Sequence, residues 1–313
     1  MSKPEILIVG PMQQSALDRL DAEFTAYKLW LAPDKETVLR EVGGRIRGIA
    51  TGIKYGAPGA LINALPKLEV ISCFGVGYDE VDVEAAKRRR IPVTNTPAVL
   101  NDCVADIAIG LMIAISRNIV QGDSYVRAGK WLNGPMPLAT SVSHKRLGIL
   151  GYGRIGRAIA KRAAAFDMDI RYHSRNKLAD TPHAYFPSAI ELAENCDFMI
   201  VITPGGKETY HLVNDEVIRA LGPRGFLINV ARGSVIDEAA LLKCLQEKAL
   251  GGAALDVFEK EPQMDEAFWA LDNVLLQPHV ASATHETRTA MGNLMVDNLL
   301  AHFSGKPVLT PVY

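Results

Sequence analysis

KRLGILGYGRIGRAIAKRAAAFDMDIRYHSRN, residues 145–176, is the stretch from which the fold is read. A short apolar run, Leu147 to Leu150, meets Gly151-Tyr152-Gly153-Arg154-Ile155-Gly156, and helix-period residues follow to about Phe166. A second apolar run, Met168 to Tyr172, ends in His173-Ser174-Arg175. Strand, glycine turn, helix and strand within about 30 residues is the pattern of a dinucleotide-binding unit. Each glycine has its own task in such a unit. Gly151 can take the positive φ of a tight strand-to-helix turn. Gly153, lacking a Cβ, lets a pyrophosphate approach the backbone and the helix N-terminus, where unpaired N–H groups and the dipole favour an anion. Gly156 lets the helix lie close to its strand. The turn alone would also suit another α/β protein; the flanking strand and helix favour the dinucleotide.

The end of the second strand narrows the cofactor. An NAD site usually places Asp or Glu about 20 residues beyond the turn, on the ribose 2′-hydroxyl. Here that place falls at Ser174, followed by Arg175 and, shortly after, Lys177. A carboxylate would repel a 2′-phosphate, whereas a hydroxyl and a guanidinium attract one. The site reads as one for NADP(H), although Arg175 alone would also pass for a solvated loop charge.

The chain has 313 residues, enough for two domains with a well-buried core. With 48% hydrophobic and 22% charged residues and a formal charge of −1, it reads as soluble and globular, with no field to gather nucleic acid or an anionic membrane. Lys87-Arg88-Arg89-Arg90 reads as a solvated helix end. Cys73, Cys103, Cys196 and Cys244 are far apart, so buried free thiols are expected, with neither a disulfide framework nor a metal site. The sequence MSKPEILIVG runs straight into a strand, and the apolar segment Val104 to Ile115 is interrupted by Asp106 and too short for a bilayer. A cytoplasmic location, without membrane or nucleic-acid partners, is expected.

Before the glycine turn, short apolar runs at Ile6 to Val9, Ile46 to Ala50, Leu68 to Cys73 and Ile91 to Val93 alternate with amphipathic segments. That alternation predicts a separate small α/β domain with a parallel sheet over the first hundred residues. Within it, Phe74-Gly75-Val76-Gly77-Tyr78-Asp79 is a second glycine turn, without a third glycine. It is either a plain loop or a nest of N–H groups for a small anion, and spacing leaves both open. Asn101 and Asp102 offer caps to a nearly all-apolar helix, Cys103 to about Ser116. Such a helix should be buried between domains or against another subunit. After the dinucleotide unit, strands are predicted at Phe198 to Thr203, Gly225 to Val230, Ala253 to Val257 and Val274 to Leu276. Arg232, Asp256, Glu261 and His279 fall at or just past strand ends, where open α/β sheets bind ligands.

Those residues suit hydride transfer to a small 2-keto acid. An Arg can hold the carboxylate bidentately and polarise the carbonyl. A His can give a proton to the developing alkoxide near neutral pH, and a neighbouring carboxylate keeps it protonated and fixes its tautomer. Arg232, His279 and Glu261 supply the three roles, whereas singly each would pass for a salt-bridge or surface residue.

Five segments carry a resemblance: N-T-P-A-V-L-N-D-x-V-A-D at 95–106, G-Y-G-R-I-G at 151–156, I-N-V-A-R-G-S-V-I-D-E at 228–238, L-D-V-F-E-K-E-P at 255–262 and L-Q-P-H-V-A-S-A-T at 276–284. Together they resemble the D-2-hydroxyacid dehydrogenase family, its glyoxylate/hydroxypyruvate reductases above all, over nearly the whole chain. The resemblance implies two parallel-sheet α/β domains, Rossmann-like and flavodoxin-like, with the active site in a cleft between them. It implies a discontinuous substrate domain, 1–97 with 286–313, whose last helix runs from about His285 to Phe303, and a dinucleotide domain at 98–285. It assigns the carbonyl cation to Arg232, the acid/base to His279, the supporting carboxylate to Glu261, and substrate-carboxylate N–H donors to Val76 and Gly77. Cofactor contacts are implied at residues 151–156, at Ser174, Arg175 and Lys177, at Thr203, Pro204, Val230 and Ala231, and at Asp256, the nicotinamide amide partner. It also implies a homodimer packed through the nucleotide domain, which would bury the 103–116 helix.

Two departures from the family pattern stand out. Tyr152 replaces a more frequent Leu, a change expected to matter little, and Ser174-Arg175 replaces the acidic NAD determinant. The alternatives are an NAD-linked phosphoglycerate-type dehydrogenase, a formate dehydrogenase, which would call for Gln at Glu261, and a nucleotide-sensing corepressor on the same fold. Glyoxylate, hydroxypyruvate and 2-ketogluconate stay open as substrates, the choice falling to Ile53-Lys54-Tyr55 and the Trp131 to Leu138 loop.

Overall fold

The structure, a computed structural model, describes residues 3–313. The backbone divides into two compact units, one of the described residues up to Leu100 with Ser282–Tyr313, the other of Asn101–Ala281. In the first unit, β1 (Glu5–Ile8), β2 (Thr25–Lys28), β3 (Gly48–Gly52), β4 (Val70–Phe74) and β5 (Val93–Thr94) form an all-parallel sheet in the order β2-β1-β3-β4-β5. That is the flavodoxin-like order. In the second, β6 (Arg146–Leu150), β7 (Asp169–His173), β8 (Ala184–Tyr185), β9 (Phe198–Val201), β10 (Phe226–Asn229), β11 (Gly252–Leu255) and β12 (Val274–Leu276) are also parallel. Their order, β12-β11-β10-β9-β6-β7-β8, is the Rossmann order with one strand added, and it reverses between β6 and β9.

The central strands β4, β9, β10 and β11 are buried along their whole length, as strands covered on both faces must be. The edge strands β2 and β8 were absent from the sequence reading. Thr-Ala-Tyr-Lys and Ala-Tyr carry no apolar run, and backbone pairing to β1 and β7 defines them.

The helix Asn101–Ser116 corrects an expectation. Val104, Ala108, Leu111, Met112 and Ile115 are buried within this one chain, against β10, β11, β12 and the helix Arg154–Ala163. No partner subunit is needed to cover it. Arg89 is a second correction: it is no solvated helix end, because its guanidinium donates to the carbonyls of Ile62, Leu65 and Pro66 and caps the Gly59–Ala64 helix. Among the described residues, no single helix is long and apolar enough to cross a membrane.

The helix His285–Phe303 belongs to the first unit, where it packs on β4 and on the helix Gln14–Glu23. A Cβ on Gly292 would lie 2.9 Å from that of Ala16, so glycine sets the approach of the two helices. Fully buried Asn298 accepts the amides of Leu309 and Thr310, and the Thr310 hydroxyl donates to the Asn95 carbonyl. The last helix thus braces the segment that holds the second glycine turn.

Candidate active site

At the end of β6, each glycine of the turn has a measurable reason. Gly151 has φ +105°, and a Cβ there would lie 2.7 Å from the Ile202 carbonyl oxygen. The turn therefore lies against the chain leaving β9, at the point where the strand order reverses. A Cβ on Gly156 would lie 2.3 Å from the Gly151 carbonyl oxygen, so the helix closes onto its own turn. A Cβ on Gly153 would meet nothing within 4 Å.

Gly153 heads the helix Arg154–Ala163 without a side-chain cap, and Arg154 and Ile155 form its first turn. Nearby, the Thr203 hydroxyl oxygen is buried with no hydrogen-bond partner among the described residues. Its backbone nitrogen would lie 2.9 Å from a Cβ on Gly151. An open approach at Gly153, an uncapped helix N-terminus and an orphaned hydroxyl fit the pyrophosphate of a dinucleotide. Pro204 follows Thr203 on the surface.

Beyond β7, the Ser174 hydroxyl donates to the Asn176 carbonyl at 2.7 Å. Arg175 is exposed and stands 3.3 Å from Glu208, a partner the sequence did not suggest. An exposed pair of this kind is worth little, so it leaves the guanidinium open to a stronger anion. Lys177 is exposed in the same loop.

Arg232 follows β10 in a tightly held loop. Buried Asn229 accepts the Ala231 amide at 3.0 Å and donates to the Arg232 carbonyl at 3.0 Å, and the guanidinium donates to the Ala231 carbonyl at 2.7 Å. The Val230 amide donates to Val201. Gly233 comes next, and a Cβ there would lie 1.8 Å from the Phe258 carbonyl carbon. Only glycine lets the loops after β10 and β11 press together, and that contact brings Arg232 close enough for its charge to act on Glu261. Asn229 and Gly233 were not singled out from sequence, although both flank Arg232.

His279 Nδ1 lies 2.7 Å from Glu261 Oε2, and the other carboxylate oxygen accepts the Phe258 amide at 3.1 Å. Burial pushes the Glu261 carboxyl up, but the hydrogen bond and charge of His279, the Phe258 amide and Arg232 outweigh it, holding the group below the ordinary carboxylate value. An ionised carboxylate only accepts, so Nδ1 carries hydrogen and Nε2 is the atom presented for proton transfer.

Asp256 is wholly buried at the end of β11. Its oxygens accept the amides of Val280 at 2.7 Å and Ala281 at 2.9 Å, and its carbonyl accepts that of His279 at 2.8 Å. Burial pushes its carboxyl up, opposed by those two amides. The structure thus gives Asp256 the task of fixing the His279 loop, where His279 itself has φ +55°.

In the first unit, Gly75 has φ +141°, its amide donates to the Thr96 hydroxyl at 3.0 Å, and Asn95 donates to the Val76 carbonyl at 2.7 Å. A Cβ on Gly75 would lie 2.4 Å from Ile53 Cδ1, so the Ile53 side chain packs against the start of this turn. The four cysteines are free thiols, three buried and Cys103 half-buried.

Residues 109–281 match the family model described as D-isomer specific 2-hydroxyacid dehydrogenase, NAD binding domain. The chain is 48% identical over 307 residues to a hydroxyphenylpyruvate reductase of Plectranthus scutellarioides, covering 98% of each. It is 45% identical over 311 residues to a 2-ketogluconate reductase of Gluconobacter oxydans, covering 99% of each. Among solved structures it resembles an NADPH-dependent glyoxylate/hydroxypyruvate reductase of Sinorhizobium meliloti in complex with NADP and malonate. That likeness has a TM-score of 0.92 and 44% identity, over 99% of this chain and 97% of the other.

Proposed function

The chain belongs to the D-isomer specific 2-hydroxyacid dehydrogenase family, and on that premise we propose that it reduces small 2-keto acids to D-2-hydroxy acids with NADPH. The observation that carries the reading is the His279–Glu261 pair at 2.7 Å, with Arg232 acting on the same carboxylate.

Reduced NADP, when bound at the glycine turn, supplies the hydride. Arg232 holds the keto acid through its carboxylate and polarises the carbonyl. The Val76 and Gly77 amides are proposed as further donors to that carboxylate. His279 carries the proton at Nε2 and gives it to the alkoxide oxygen as the carbonyl carbon is reduced. Glu261 keeps the ring oriented through its hydrogen bond to Nδ1. Arg175, Ser174 and Lys177 bind the 2′-phosphate, and Thr203 donates to the dinucleotide from beside Gly151.

A phosphoglycerate-type NAD enzyme is not favoured, because no carboxylate stands at Ser174. Glu261 likewise disfavours a formate dehydrogenase. A corepressor would have no need of the Arg232, Glu261 and His279 arrangement. The choice of keto acid rests with the 53–55 and 131–138 segments. The relatives named above act on an aromatic keto acid, a sugar acid and short keto acids. We propose glyoxylate or hydroxypyruvate, with 2-ketogluconate next.

We also propose a homodimer formed through Ile119, Val120, Val126, Trp131, Leu132 and Leu138, which the nucleotide unit leaves exposed, and a cytoplasmic location, which suits four free thiols. A panel of these keto acids with NADPH, read by nicotinamide absorbance and by chiral analysis of the product, tests the activity. A D-2-hydroxy acid from at least one member is expected; no turnover across the panel would defeat the reading.

A further inference from the structure

We propose that Tyr172, Tyr152 and Arg157 clasp the 174–181 loop and thereby set the preference for a cofactor carrying a 2′-phosphate. The inference rests on the NADPH reading above and identifies the residues that position the phosphate-binding side chains.

Tyr172 lies in β7 and is wholly buried. Its hydroxyl accepts the Leu178 amide at 2.9 Å and donates to the Leu178 carbonyl at 3.4 Å, so one side chain holds both backbone groups of a loop residue. The Tyr172 ring packs on that of Tyr152, with centroids 4.5 Å apart and planes inclined by 35°. Tyr152 is the middle residue of the Gly151-Tyr152-Gly153 turn and is 5% exposed. Burial pushes its phenol up, while a hydrogen bond with the Thr181 side chain and the charge of Arg157 oppose the shift. Arg157, one turn into the following helix, lies 5.4 Å from the Tyr152 ring centroid and reaches Asp180 at 2.7 Å. Leu178, Asp180 and Thr181 are therefore each held by a different member of the group.

The other end of the loop is also fixed. The His173 carbonyl accepts the Gly151 amide at 2.9 Å, and His173 Nδ1 lies 2.8 Å from the Phe186 carbonyl oxygen. Ser174, Arg175 and Lys177 thus sit on a short span between two anchors. Arg175 is exposed and paired only weakly, with Glu208, so the backbone beneath it does most to set where its guanidinium goes. A backbone fixed before binding reduces the ordering cost of gripping a phosphate. Tyr152, which the sequence reading expected to matter little, links the pyrophosphate turn to this loop.

The test compares two probes that differ only by the 2′-phosphate, 2′,5′-ADP and 5′-AMP, titrated calorimetrically into native protein and Tyr172→Phe. The variant keeps the ring and loses the hydroxyl. It should bind 2′,5′-ADP roughly 3- to 10-fold more weakly, the effect of about one hydrogen bond, and 5′-AMP within about twofold of native. Faster exchange of the Leu178 amide should accompany the loss. An equal loss for both probes, or no loss for either, would overturn the clasp.

Should Tyr172→Phe fail to fold, Arg157→Gln serves in the same comparison, since it removes the ion pair with Asp180 and the guanidinium over the Tyr152 ring. A selective loss for 2′,5′-ADP supports the clasp; an equal or absent loss overturns it. Native protein that binds both probes equally would instead defeat the NADPH reading. Native preference for 2′,5′-ADP that survives both substitutions would defeat the clasp alone.

Discussion

His279 Nδ1 and Glu261 Oε2 stand 2.7 Å apart, and that pair fixes which histidine nitrogen can reach a substrate. With Nδ1 committed to the carboxylate, proton delivery falls to Nε2. Replacing His279 with Gln should lower kcat by roughly 10² or more, since general acid catalysis contributes about 10²–10⁴. NADPH binding, measured by fluorescence titration, should survive because the glycine turn is untouched. Near-native kcat would remove His279 from the mechanism.

The charge of Glu261 supplies a pH test of stability, with Glu261→Gln as the variant. The Glu261 carboxyl is depressed in the folded protein, so its contribution is complete above the ordinary carboxylate value and is lost as pH falls through the folded one. The Gln variant should therefore show a shallower acid-side loss of Tm. An unchanged acid-side profile would mean that the Glu261 carboxylate gains no such stabilisation from its partners in the folded protein.

Gly233 tests the packing behind Arg232. An added methyl would collide with the Phe258 and Glu259 backbone, and overpacking typically costs about 1–3 kcal/mol. Gly233→Ala should lower Tm and also depress kcat/KM, because displacing the loop moves Arg232 away from Glu261. Unchanged thermal unfolding together with unchanged kinetics would mean that the two loops are not held against each other as described.

Much of this was legible in sequence because periodic runs and glycines encode local geometry. The G-Y-G-R-I-G turn gave strand, turn and helix at once, and Arg232, Glu261 and His279 fell at strand ends. Less visible were features that depend on partners distant in the chain. Asp256 reads as a lone acid until its oxygens are seen on the amides of Val280 and Ala281. Glu208, more than thirty residues from Arg175, gives no local signal of their pairing. The buried 101–116 helix showed its need for cover by being apolar all round. What covers it, the sheet and a helix of the same unit, depended on topology.

Glu208 shares the Arg175 guanidinium and places a negative charge beside the proposed 2′-phosphate site. Glu208→Gln should tighten NADPH binding by about two- to fivefold, in line with the small worth of an exposed pair, and leave NADH nearly unchanged. A fall in NADPH affinity would show that Glu208 orients Arg175 rather than competing for it.

The ratio of kcat/KM with NADPH to that with NADH, for native protein and for Ser174→Asp combined with Arg175→Ala, tests the central claim most directly. A charge-assisted hydrogen bond is worth about 1.5–3 kcal/mol, or roughly 10- to 150-fold at 1.4 kcal/mol per decade. The native ratio should favour NADPH. The double change should collapse NADPH use while NADH use holds or improves, because the new Asp can accept from an unphosphorylated ribose. A native ratio favouring NADH, or one that the double change leaves unmoved, would contradict the account of an NADPH-linked keto-acid reductase.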